Sequence, residues 1–279
     1  MKRTTLIGAV AVAGLAQLFA APAHAAPTTD PVKALQSQLG QGKAVNLEAT
    51  AKVTYKAGQV ATSALDGTIG FGPRGPVASD VAHTLQYSPA LLRTMKKAAP
   101  AETEALQAGP IRMLSSGGVS YVSGPVVDQA LPPGTSWVRY RKVVQPPSNL
   151  VVEPLDPATL TTLVANRTSW KDGILKGSVK ASTFARASKP FAAFYGTRFT
   201  AKRDGKISYT IYFGDKGLVR RVVAKATLPM SKSTVQVESD TRYRDWGREA
   251  TVLLPLEGDV IDRSEVKDET PDQVPGIWN

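Results

Sequence analysis

The chain has 279 residues, 42% of them hydrophobic, with 34 Lys and Arg against 23 Asp and Glu and not one cysteine. That length and apolar share suffice for one large core and exclude disorder throughout. Without cysteine there is no disulfide, no Cys-His pair and no lipid-modified N-terminal cysteine, so the core alone holds the fold.

Residues 1–25 differ from the rest. Lys2 and Arg3 make a basic start, Leu6 to Ala21 is apolar, and Ala23-His24-Ala25 is an A-x-A cleavage signal. A secretory leader over 1–25 is expected, with a mature chain from Ala26 that is secreted or held in the cell envelope without a lipid anchor. The apolar run is too short, and too interrupted by Gln17 and Pro22, for a membrane span. Removing Lys2 and Arg3 leaves 32 cations against 23 acids, a balance of +9. Such a surface suits an anionic membrane or cell-wall polymer, or serves as solubilising charge; nucleic acid is the weakest partner for an exported chain.

The mature chain opens on a short helix, with Asp30 as cap, Pro31 in the first turn, and Gly40 and Gly42 as stop. Val45 to Tyr55 alternates apolar and polar residues as a strand with one buried face does, and Leu65 to Phe71 and Val77 to Gln86 continue as the second and third strands. From Ser88 to Ala108 the period becomes helical, with Leu91, Leu92 and Met95 on one side and Pro100 breaking the run, as in a broken helix or lid. Ile111 to Leu114, Gly118 to Val122 and Ser136 to Tyr140 read as middle strands, and Asp156-Pro157 starts a second clear helix with Leu160, Leu163 and Val164 on one face. Trp170 to Phe184 reads as extended. Ile207 to Phe213, Leu218 to Ala226 and Thr234 to Tyr243 then form an antiparallel meander, closed by Trp246 and a last extended run from Glu249 to Leu256. The fold class is α+β, mainly antiparallel β, with about ten strands and two or three short helices. We expect one β domain over 26–263 and a flexible or loosely docked tail over 264–279.

Catalysis finds little support. His83 is the only histidine left after Ala25, and a lone histidine on a strand is expected at a surface or edge. The nearest thing to a carboxylate pair lies among Asp240, Asp245, Glu249, Glu257 and Asp259, but each sits beside Arg or in a turn, where ion pairing and capping explain it. No catalytic residue, metal site or cofactor is expected. A curved sheet with one apolar face and helices too small to cover it can leave a cavity, and the alternative is that the same residues pack into a closed core.

Asp66-Gly67-Thr68-Ile69, Val119-Ser120-Tyr121-Val122, Leu131-Pro132-Pro133-Gly134-Thr135-Ser136-Trp137-Val138, the helix after Asp156-Pro157, Tyr195-Gly196, Gly217 to Arg221, Thr241 to Gly247, Pro255 and Val260-Ile261-Asp262 follow one another along the chain. That order of elements resembles the LppX/LprA/LprG type of actinobacterial envelope proteins. The resemblance implies a LolA-like half-open barrel whose helices cover the concave face, and an apolar cavity for acyl chains of lipids or glycolipids. The lining it implies is Ile69, Phe71, Leu91, Leu92, Met95, Met113, Tyr121, Leu160, Leu163, Tyr209 and Ile211. Many members carry an anchoring cysteine, which this chain lacks. The competing reading is a secreted interaction module that binds a wall polymer or a protein through its basic surface.

Overall fold

The computed structural model describes residues 30–55, 58–128, 131–141, 151–195, 199, 203–230, 233–266, 270–271 and 274. The leader expected over 1–25, the Pro146-Pro147 segment and Trp278 lie outside these residues.

A first helix, α1 (Pro31–Gln36), leads into three long strands, β1 (Lys43–Thr54), β2 (Val60–Gly72) and β3 (Gly75–Tyr87). The helices α2 (Pro89–Ala98) and α3 (Pro100–Ala108) follow, then β4 (Ile111–Ser116), β5 (Val119–Ser123), α4 (Pro125–Asp128) and β6 (Trp137–Arg141). The second half holds α5 (Pro157–Ala165), β7 (Arg167–Lys171), β8 (Ile174–Lys180), α6 (Ala181–Ala187) and α7 (Lys189–Tyr195). The meander β9 (Lys206–Phe213), β10 (Val219–Met230) and β11 (Ser233–Glu249) and a short β12 (Val260–Asp262) complete it. Two proline-led helices start on the caps read from sequence: Asp30 accepts a hydrogen bond from Val32 N at 2.9 Å and Asp156 from Thr159 N at 3.0 Å.

All twelve described strands join one open, curved sheet in the order β12-β6-β5-β4-β3-β2-β1-β11-β10-β9-β8-β7. Neighbours are antiparallel except β12, which runs parallel to β6. The strand β1 sits near the middle, between β2 and β11. Register shows how the alternation read from sequence becomes a core. One row runs Ile111–His83–Leu65–Ala49–Thr241–Val222–Ile211–Leu175–Trp170 across nine strands, and all but half-buried Trp170 are buried. Because side chains alternate between faces, fixing one row fixes the inner face of the whole sheet. Gly67 lies on that face, where a Cβ would run into the β3 backbone at Asp80 and Val81. It lets β2 and β3 close up mid-strand, where a sheet bends.

Four expectations need correction. Residues 170–184 are not one extended run: Asp172 and Gly173, at φ 51° and 72°, turn β7 into β8, and α6 begins at Ala181. The run from Glu249 to Leu256 is not a strand, because β11 kinks at Asp245 (φ 54°) and Gly247 (φ 77°), and after the Ala250 N–H donates to the Gly42 carbonyl the chain leaves the sheet. The helices number seven among the described residues rather than two or three; α4, α6 and α7 have seven residues or fewer, too few turns to declare a period. His83 is neither at the surface nor at an edge but fully buried in β3, between Leu65 and Ile111.

Candidate functional site

The inner face of the sheet is the candidate binding region. Of the residues expected to line it, Ile69 and Phe71 on β2, Met113 on β4, and Tyr209 and Ile211 on β9 are buried on that face. Leu160 and Leu163 are buried on α5, which packs on β8. Leu91, Leu92 and Met95 lie together on α2, all half-buried, with Leu91 and Met95 packed against the core. Tyr121 stands apart. On β5 the buried inward positions are Ser120 and Val122, while half-buried Tyr121 sits opposite Leu114 and Arg139, on the outer face.

One hydrogen bond ties α5 to the sheet, and an aromatic stack joins the strands at the other end of the face. The Tyr209 hydroxyl donates to the Leu163 carbonyl of α5 at 2.6 Å, and burial pushes that phenol up to about 12. Gly177 on β8 makes the reach possible, since a Cβ there would collide with the Tyr209 ring end and the Asn166 carbonyl. At the other end of the face, Phe71 stacks on Trp246 with ring centroids 5.8 Å apart, and the Trp246 Nε1 donates to the Val219 carbonyl at 2.8 Å. The next row of the inner face, Leu85–Ser63–Ala51–Ser239–Ala224–Tyr209, carries four small side chains in succession at the centre of the sheet.

Polar groups on this face went unnoticed in the sequence. Ser79, Ser115 and Ser120 stand side by side on β3, β4 and β5, fully buried, with the Ser115 and Ser120 hydroxyls 2.6 Å apart. Serine is too common for any one of the three to give a signal, and only register brings them together. The Tyr243 hydroxyl is buried with no hydrogen-bond partner among the described residues, and burial and then the nearby Glu153 carboxylate hold its phenol well above the usual range. Burial pushes His83 down to about 4, so it stands neutral in the core.

The outer face is polar and carries several ion pairs. Asp240 takes both ends of the Arg221 guanidinium, Glu238 pairs with Lys225 at 2.7 Å, and Asp80 with Arg112 at 2.9 Å. A trough of about 450 Å³ runs over this face, between Thr50, Lys52, Thr62, Ala64, Thr84, Gln86, Val223, Lys225, Glu238 and Asp240. At the β12 edge, Asp262 holds Arg139 through two hydrogen bonds of 2.8 and 2.7 Å and also Arg141, which keeps its carboxyl well below the usual range. Beyond it the Tyr140 hydroxyl and Arg263 both donate to the Pro271 carbonyl. Glu257 pairs with Arg139 and Asp245 accepts from Asn46, so these acids act in pairing as their setting suggests. Among the described residues no group of three or more His, Asp or Glu could hold a metal ion, and no helix is long and apolar enough to cross a membrane.

No family model and no curated protein matches this chain. Among solved structures it is similar to the LolA superfamily protein NE2245 from Nitrosomonas europaea, at 7% identity and a TM-score of 0.30, over 79% of this chain and 93% of that one. A DUF1329 family protein from Desulfovibrio piger is similar at 12% identity and a TM-score of 0.23, over 77% of this chain and 94% of that one. Both likenesses are too low to argue from, and the case for function rests on the chain's own geometry.

Proposed function

We propose that this chain is a non-enzymatic binding protein that takes acyl chains of a lipid or glycolipid between the inner face of its sheet and its short helices. The observation that carries the reading is α2. It sets Leu91, Leu92 and Met95 on one side, yet none of its residues is buried. A helix with so little burial is held by few apolar contacts and opens at low free energy. Ala99, which joins it to α3 at φ −147° and ψ 80°, together with Pro100 makes a natural hinge. Leu91 and Met95 pack on the core near the start of β2, and moving α2 outward would exchange those contacts for those of a ligand. Each methylene that enters contributes about 0.8 kcal/mol. The small side chains Ser63, Ala51, Ser239 and Ala224 form the lowest part of the inner face, and such a chain would seat there. The same reading takes residues 1–25 as a cleaved leader, residues 26–263 as one β domain, and the mature protein as acting outside the membrane without a lipid anchor.

A tether on α2 tests this. A Cβ built on Gly58 lies 3.9 Å from the Ala90 Cβ, within disulfide range, and the absence of any other cysteine makes the engineered pair unambiguous. The Gly58→Cys/Ala90→Cys protein should bind a fluorescent fatty acyl probe when reduced and lose most of that binding when oxidised. Native mass spectrometry of the wild type from a lipid-replete host should show bound lipid. A wild type that binds neither probe nor lipid would sink the carrier reading and leave the outer face as the working surface.

A further inference from the structure

We propose that α2 is also the surface by which this protein docks on an anionic lipid bilayer. At 100° per residue, Leu91, Leu92 and Met95 occupy one arc of the helix and Arg93, Lys96 and Lys97 the opposite one. With Leu91 and Met95 on the core, the three cations point away from the body, and all three are exposed. The helix carries no acid, and none of the three cations has an ion pair among the described residues. On the outer face of the sheet, Arg112, Arg139, Arg221, Lys225 and Arg244 each hold an acid. Other exposed sheet cations, Lys52, Lys176, Lys206, Arg220 and Arg242 among them, have no ion pair among the described residues; what sets α2 apart is that its three free cations fall within five residues of one helix that carries no acid. The acids nearest in sequence are Glu102 and Glu104 of α3, both exposed.

The chemistry that matches three unpaired cations within five residues, on the exposed side of a helix, is a plane of phosphate headgroups. Docking there would also set the hinge side of α2 against the source of acyl chains. That last point leans on the carrier reading, but docking itself does not.

The test uses the mature protein and vesicles of equimolar phosphatidylglycerol and phosphatidylcholine, with pure phosphatidylcholine as the neutral surface. Co-sedimentation should show binding to the anionic vesicles only, weakening as salt is raised. Arg93→Ser/Lys96→Ser/Lys97→Ser should weaken it roughly a hundredfold, since each cation near such a surface contributes on the order of 1 kcal/mol. Lys176→Ser/Lys206→Ser/Lys216→Ser removes three exposed cations elsewhere and should bind nearly as the wild type does. Thermal melting checks that both variants are folded. Equal loss in the two triple variants, or equal binding to neutral vesicles, overturns the proposal. Acyl-probe binding without vesicles, unchanged in the α2 variant, separates this result from the carrier reading.

Discussion

His83 shows how one buried side chain sets a pH dependence. Burial alone lowers its pKa from 6.5 to about 4, so between those values the unfolded chain binds more protons than the native one. Stability is therefore full above about pH 6.5 and falls as pH drops toward about 4, by up to about 3 kcal/mol. Asp262 acts in a separate window: its carboxyl is held low by Arg139 and then Arg141, so its contribution is present above the unfolded value of 3.8 and is lost below it. Urea midpoints for His83→Gln should stay flat between about pH 6.5 and 4.5, where those of the wild type decline. A wild-type midpoint that does not move over that range would mean the imidazole finds solvent. Trp246 is a second single-residue case. Its stacking on Phe71 and its bond to the Val219 carbonyl make Trp246→Ala cost about 3 kcal/mol in a urea melt, and an unchanged midpoint would show that the ring is dispensable.

At the scale of elements, the contact between α5 and the sheet depends on an absent side chain as much as on a present one. Gly177 clears the space through which Tyr209 crosses β8 to reach the Leu163 carbonyl. Tyr209→Phe should cost about 1 kcal/mol, the worth of one hydrogen bond. Gly177→Ala should cost more, about 2 to 3 kcal/mol, because its Cβ meets both the Tyr209 hydroxyl and the Asn166 carbonyl. Removing the hydroxyl takes away one of the clashing atoms and leaves the ring Cζ and the Asn166 carbonyl. It also frees the ring from its anchor on Leu163, so the double variant should be more stable than the sum of the two losses predicts. Strict additivity in melts would show that the ring had already moved aside. The long strands and the capped helices were legible in the sequence because alternation over ten or more residues, or Asp followed by Pro, is a local signal: β1, β3, α1 and α5 stand where those signals are. Hidden elements had no such signal. The strand β12 is three residues long and exists through Arg139 and Asp262, 123 positions apart. Of the candidate lining, Ile69, Met113, Tyr209 and Ile211 could be placed on one face by counting alternate residues; Tyr121 was one position out of phase with its buried neighbours, a shift that shows only when β5 is paired with β4.

For the molecule as a whole, the two faces divide the labour. The inner face excludes water under helices whose hold ranges from the fully buried Leu160 and Leu163 of α5 to the half-buried residues of α2, so opening should begin at α2. The outer face matches some of its charges internally and leaves others, Lys52 and Arg242 among them, without an ion pair among the described residues. The central place of β1 carries one more consequence, for the order of events in time. Residues 43–54 take one neighbour within twenty positions of their own end but must wait for residues 236–249 to supply the other. A chain that emerges from a ribosome or a pore with its N-terminus first can assemble β1 to β6 as one sheet, yet its open β1 edge stays unpaired until nearly nine-tenths of the sequence has appeared. Until then nothing closes the core, and loops of that length join slowly. A half-sheet of β1 to β6 thus waits with one long edge exposed for most of the chain's synthesis, which makes that edge the place where a partner strand from another copy could intrude.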